Sequence, residues 1–298
     1  VALTDLSRCS AASRHRGDPL AGSAPVASRW LLVEHQGPWA KQHLDTPPLL
    51  GRAGRQVDEL CRSFGGKSLL IRRPQRRAPE GDPAWFAVDT VRGTRLRGTW
   101  RHAEDLVAAA SALGTDLSRA DEDAERMLLV CTQGTRDSCC AVRGRPIVAQ
   151  LSKEWPEETW ECTHLGGHRF SGTLLSLPDG TCLGHLDPDD AVGVVRSHLD
   201  GRLPAERLRG VTRWEPAVQA ALAAVLRELG PADVEDAVPG RVERDGERTT
   251  VEVHGRGPLP PKVVVDVVEE HLPEAALSCG GPPKPHSAWR TTVRGAEA

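Results

Sequence analysis

Apolar and polar positions along the chain switch between a strand period and a helix period, and the switches mark the elements. Residues 30–34 (WLLVE) are an apolar run of strand length, and GPW at 37–39 is a turn signal. Over 49–64, Val57, Leu60, Cys61 and Phe64 recur on one face, which predicts a helix. Strands follow at 68–71, 85–91 and 94–99, the last two as a hairpin around Arg92-Gly93. An Ala-rich helix covers 102–113. The order then repeats. A strand at 127–130 leads into a cysteine-rich loop, and a helix over 146–155 starts with Pro146 at its first position. A strand at 159–163 precedes a hairpin of 174–177 with 181–185 around Pro178-Asp179-Gly180. A helix over 187–199 has Asp187 as N-cap and Pro188 next.

The repetition predicts two β-α-β-β-β-α copies, a thioredoxin-like plan of mixed α/β class. Shared wording supports it: Gly93-Thr94-Arg95-Leu96 and Gly180-Thr181-Cys182-Leu183 each precede the last helix of a copy. The first copy has Glu34 where the second has Cys131, and it lacks a His pair. Beyond Leu203 the pattern changes. Val218, Leu222, Val225 and Leu229 predict an amphipathic helix over 216–229. A hairpin joins 241–243 to 249–254 across Asp245-Gly246. Residues 263–271 fit strand or helix, 279–289 read as irregular, and 290–294 as a last strand. The expected domains are 1–118, a degenerate thioredoxin-like unit; 119–204, a second unit carrying the chemistry; and 205–298, a small α+β segment.

Composition narrows the function. With 38 Lys plus Arg against 41 Asp plus Glu, the net charge is −3, so there is no global basic field for nucleic acid. RRPQRR at 72–77 reads as a solvated basic loop. No apolar run approaches the ~20 residues that span a bilayer. The first ten residues lack a charged stretch followed by an apolar one, so the expectation is no secretory leader, a cytoplasmic location and reduced thiols. Cys9, Cys61, Cys182 and Cys279 are scattered and read as small buried hydrophobes. Sugar hydrolysis needs two carboxylates flanking a glycosidic bond. The cluster Asp187, Asp189 and Asp190 reads instead as a helix cap.

The candidate chemistry sits in two short segments. In CTQGTRDSCC, Cys131 and Cys140 enclose eight residues; in HLGGH, His164 and His168 enclose three. Two thiolates and two imidazoles suit zinc or an iron–sulfur cluster. The wide cysteine gap is unlike a zinc knuckle, and Gly166-Gly167 disfavours a helix that would present both histidines. On the residues alone, zinc and a [2Fe–2S] cluster stay open together. Cys139, beside Cys140, competes as a ligand, and Cys162 reads as a packed thiol sharing the face of His164. A thiol-redox enzyme using Cys139 or Cys140 as nucleophile is a third reading, weakened by the lack of a CxxC motif.

The segments CTQGTRDSCC and HLGGH, with the Pro-Asp-Gly hairpin and the helix after it, resemble the sucrase/ferredoxin-like family. EHQGPW at 34–39 and Cys279-Gly280, Lys284-Pro285 and Trp289 near the C-terminus are similar to it as well. That family is related to thioredoxin-like ferredoxins, and its fungal members include actin-patch-distribution proteins with a bis-histidinyl, non-Rieske [2Fe–2S] cluster. The resemblance implies a [2Fe–2S] cofactor held by Cys131, Cys140, His164 and His168. It implies an electron carrier rather than a stand-alone enzyme, served by a redox partner protein (reductase or acceptor) and by neither nucleic acid nor membrane. Electron uptake is expected to couple to a proton on an iron-bound imidazole. Arg136, Arg143 and Arg145, which flank the thiolate loop, are candidates to stabilise the reduced charge or dock an acidic donor, with plain solubility as the alternative.

Overall fold

A computed structural model describes residues 5–47, 49–74, 81–115 and 125–297. By contacts the chain falls into two units. One holds Ala27–Leu165 with Gly172–Gly180; the other holds the segment up to Val26, Gly166–Ser171 and everything from Thr181 on. This partition runs differently from the sequence borders at 118 and 204, the first of which lies outside the described residues.

In the first unit, β1 (Arg29–Glu34), α2 (Arg52–Ser63), β2 (Gly66–Arg72), β3 (Ala84–Asp89), β4 (Thr94–Thr99) and α3 (Ala103–Thr115) make one copy. (Helix α1, Cys9–Arg16, precedes them in the chain and belongs to the other unit.) Strand β1 pairs parallel with β2 and antiparallel with β3, and β3 pairs antiparallel with β4. Within this unit the second copy repeats the first four elements of this plan. Strand β5 (Met127–Cys131) precedes α4 (Ser138–Glu154), β6 (Thr159–Cys162) and β7 (Leu174–Leu177). Strand β5 pairs parallel with β6 and antiparallel with β7. The strands of this unit run β4-β3-β1-β2-β6-β5-β7.

The two copies meet where β2 pairs antiparallel with β6, Ile71 opposite Cys162. Ile71 is the register partner of Glu34, and Cys162 is that of Cys131. Equivalent residues therefore face each other across a local two-fold, which is what a duplicated unit predicts. The first copy buries Leu31, Val33, Val57, Cys61, Leu70, Leu106 and Leu113 in one core, with Trp39 and Leu49 closing it. Each such aliphatic side chain contributes about 1.5–3 kcal/mol on burial.

Several element edges depart from the sequence reading. Helix α4 begins eight residues before Pro146, which lies inside it. An interior proline removes a backbone donor and costs about 3 kcal/mol. Burial of Ile147, Val148 and Leu151 around it offsets that cost. The true start signal is Asp137, an N-cap whose carboxylate accepts the Cys139 N–H at 2.9 Å. The basic cluster at 72–77 is not a solvated loop where it is described. Arg72 is 5% exposed, pairs with Glu161 at 2.5 Å and stacks on Trp39 with its guanidinium 4.0 Å from the ring centre. Arg73 stacks on Trp160 at 3.8 Å, and residues 75–77 lie outside the described residues.

In the other unit, α1 (Cys9–Arg16) packs against the short turn His168–Phe170. Strand β8 (Thr181–Leu183) pairs antiparallel with β9 (Leu208–Val211). Helix α5 spans Ala191–Leu199, so Asp187 is not its N-cap. The Asp187 N–H instead donates to Asp190 at 2.8 Å, closing a turn ahead of the helix. Helix α6 (Pro216–Leu229) lies on an antiparallel sheet of β10 (Ala237–Asp245), β11 (Arg248–Gly255), β12 (Lys262–Ala275) and β13 (Lys284–Glu297). The ambiguous run at 263–271 is strand, with Val263, Val265 and Val267 buried at period two. The last strand starts at Lys284, because Ala275↔Lys284 and Trp289↔Glu269 pairing extends the ladder through most of the apparently irregular tail.

Candidate metal centre

Strand β5 is buried throughout, and its last residue, Cys131, ends at the mouth of the turn that leads to α4. That turn carries Gln133, and its far side is the first turn of α4 with Cys139 and Cys140. Helix α4 lies directly on the end of β5. A Cβ at Gly144 would sit 2.2 Å from the Cys131 carbonyl oxygen, so only glycine permits this approach. Gly144→Ala is expected to push helix and strand apart, at about 1–3 kcal/mol in urea denaturation.

The third arm is the segment after β6. Thr163 ties it to the sheet, its N–H donating to Leu70 O at 2.9 Å and its hydroxyl accepting the Leu70 N–H at 3.0 Å. His164 then turns toward the sulfurs. Its Nδ1 lies 3.8 Å from Cys140 Sγ and 4.0 Å from Cys131 Sγ. The ligand atoms of Cys131, Cys140 and His164 all lie within 4.8 Å of one another. Cys131 is 3% exposed and Cys140 1%, while His164 is half-buried. The two sulfurs are thus sequestered, and the imidazole is the part of the trio nearer solvent.

Three of the four sequence-predicted ligands are therefore together. His168 lies on the His168–Phe170 turn, which belongs to the other unit and is not in this trio. Gly166 and Gly167, at φ 80° and 62°, carry the chain from one histidine to the other through backbone that L residues rarely adopt. Within the other unit, the buried Arg209 donates to Gly166 O at 3.0 Å and to Ser23 Oγ at 3.1 Å, which pins that step. Cys139, one residue from Cys140 on the helix, is not in the trio, and neither is Cys162, the buried register partner of Cys131.

The electrostatics favour a thiolate at Cys131. A hydrogen bond from Cys140 holds its thiol well below the usual cysteine range; burial opposes this, and His164 and the Leu165 N–H add to it. A buried network backs the trio. Thr132 donates to Glu161 at 2.9 Å, and Glu161 pairs with Arg72. Burial, then the Arg72 charge, lowers the neighbouring His35 and keeps that ring neutral. In the first copy the position equivalent to Cys131 is Glu34, whose carboxylate is taken up by the Ala84 N–H at 3.0 Å and the Gln36 amide at 3.1 Å.

Gln133 is a site residue that spacing does not reveal. Its Oε1 accepts the His164 N–H at 2.9 Å, while its Nε2 donates to Ala40 O at 2.6 Å. It thereby fixes the backbone that aims His164 and joins it to the loop after β1. Gln133→Leu would orphan the His164 N–H, while Ala40 O keeps the Thr135 hydroxyl at 3.3 Å, and is expected to cost about 1–3 kcal/mol, read by urea denaturation. Asp137, the helix cap, was legible in principle: Asp-Ser-Cys-Cys is a helix-start pattern. Of the acidic cluster considered for sugar chemistry, Asp187 pairs with Arg14 at 2.9 Å and Asp190 with Arg207 at 2.5 Å.

Residues 20–210 match the sucrase/ferredoxin-like family. A curated relative, "Altered inheritance of mitochondria protein 32" of Meyerozyma guilliermondii, is 26% identical over 97 residues, 29% of this chain and 34% of the relative. The chain thus spans about a third of that relative's length. Two solved structures also match in part, a thioredoxin-like [2Fe-2S] ferredoxin from Aquifex aeolicus and a cysteine-to-serine variant of it. Each is 22% identical with a TM-score of 0.25, covering 28% of this chain and 90% and 96% of theirs. The matched span takes in both copies and every residue of the trio, and on it the chain belongs to the sucrase/ferredoxin-like family.

Proposed function

We propose that the protein is an electron carrier whose Cys131, Cys140, His164 and His168 hold a [2Fe–2S] cluster. The observation that carries this reading is the trio itself: two buried sulfurs and one imidazole nitrogen converge from the end of β5, the first turn of α4 and the segment after β6. The donor set fits. Cys131 is already biased toward the thiolate, so a metal displaces its proton at little cost. His164 presents Nδ1 inward, which leaves Nε2 as its outer nitrogen. The spacing of HLGGH and the family likeness support His168 as the fourth donor.

When bound, the cluster supplies one-electron transfer at a potential raised by its imidazole ligands. The chain does the rest. Cys131 and Cys140 exclude water from the inner side, and His164 occupies the exposed side where electrons enter and leave. Gln133 holds the His164 backbone in place. Two thiolates would neutralise a doubly positive core, so the outer ring nitrogens of the histidines are where a proton would be held more tightly when the bound group takes an electron. Arg136, half-buried, and Arg145, exposed, flank the thiolate loop in the chain and suit an acidic redox partner protein, whereas Arg143 is buried. Among the described residues no helix is long and apolar enough to cross a membrane.

Zinc is the second reading, because three donors within 4.8 Å also suit one ion with an open fourth position. Anaerobic purification decides between them. Red-brown protein with iron and acid-labile sulfide in equal amounts, and an EPR signal on reduction, supports the cluster. Colourless protein with stoichiometric zinc overturns it.

A further inference from the structure

We propose that Cys9 and Cys279 form a reversible disulfide, a thiol switch. Their sulfurs lie 3.7 Å apart, although 270 positions separate them in the chain. Cys9 is the first residue of α1 and is 2% exposed. Cys279 is half-buried and lies in the connection between β12 and β13. No disulfide joins them in the structure, and a bond requires the sulfurs to close to about 2.05 Å. The irregular, Gly-containing connection after Cys279 supplies that freedom more readily than the helix does.

The burial difference sets the order of steps. Cys279 meets the oxidant first. Its thiolate attacks a low-molecular-weight disulfide of the glutathione class, forming a mixed disulfide and releasing one thiol. Cys9, held behind it, then attacks Cys279 Sγ. The new S–S bond forms, the second small thiol leaves, and the two protein thiols have given up two electrons and two protons to the small disulfide. The Arg169 guanidinium acts electrostatically on Cys9 and supplies positive charge beside the reacting sulfur. Arg169 also pairs with Asp18 at 3.5 Å. The product ties α1, the helix that packs against the His168–Phe170 turn, to the C-terminal sheet.

The test uses the full chain in glutathione buffers of rising oxidised-to-reduced ratio, acid-quenched, alkylated and digested without reduction. Peptide mass spectrometry is expected to show a Cys9–Cys279 crosslink that grows with the ratio and disappears with dithiothreitol. Cys9→Ser is expected to stop at a glutathione adduct on Cys279, and Cys279→Ser to leave Cys9 alkylated. Cys61, whose thiol burial pushes up to about 12, is expected to stay a thiol throughout and serves as the internal control. Both thiols alkylated at every ratio would overturn the proposal, as would Cys279 crosslinked elsewhere, or protection of both that only a chelator relieves. The wild-type mapping decides even if a serine variant fails to fold.

Discussion

Cys140→Ala is expected to strip the protein of iron and visible colour, and Cys139→Ala to leave both in place. The two cysteines are adjacent on the first turn of α4, so their side chains leave the helix about 100° apart. Only Cys140 points its sulfur at His164, 3.8 Å from Nδ1, and shares a hydrogen bond with Cys131. Cys139 is instead held through its backbone by the Asp137 cap. Structural zinc binds a four-donor set with about 10–16 kcal/mol, which sets the scale for the proposed centre. Losing one thiolate therefore removes roughly 3–4 kcal/mol, more than a hundredfold in affinity. Losing Cys139 removes a small buried thiol and is expected to cost stability only. Iron and sulfide content per chain, with EPR after dithionite, reads the difference. Equal iron in both variants would show that the ligand assignment on α4 is wrong.

The repeat was legible because each copy carries the same order of periods, and the register of Ile71 opposite Cys162 makes the symmetry physical. The trio was legible because thiols and imidazoles at those spacings carry a chemical meaning of their own. The support around it was not. Gln133 is an ordinary polar residue until the fold brings Ala40 and His164 to its two ends. Arg209 lies 43 positions from the glycine it pins. The start of α4 was misplaced because Pro146 is a strong local signal, whereas the Asp137 cap is a weak one that burial of the following helix face decides. The N-terminal helix α1 has no apolar face to read: Ser10, Ala11 and Ser13 are buried in it, so its position comes from packing rather than pattern. Cys9 and Cys279 looked scattered for the same reason, since nothing in a sequence marks two thiols 270 residues apart as neighbours.

Exchanging an imidazole for a thiolate is expected to move the potential more than any other single change. His164→Cys puts a formal negative charge where Nδ1 now faces the two sulfurs. Reduction then adds an electron to a centre already more negative. All-cysteine centres of this nuclearity lie near −400 mV, and two-histidine centres at about −150 to +300 mV, so one exchange is expected to lower the midpoint by roughly 100 mV or more. The pH response follows the same charge argument. On the proposed coupling one proton would accompany one electron, so the midpoint of the native protein is expected to fall by about 59 mV per pH unit where the coupling is complete. A thiolate has no outer ring proton to bind, so each of His164→Cys and His168→Cys is expected to flatten that slope, and the pair together to abolish it. Protein-film voltammetry between pH 6 and 10 measures both quantities on one sample. A slope that survives the double exchange would place the coupled proton elsewhere. The part-buried carboxylate of Glu161, reached from the centre through Thr132, is then the first group to replace.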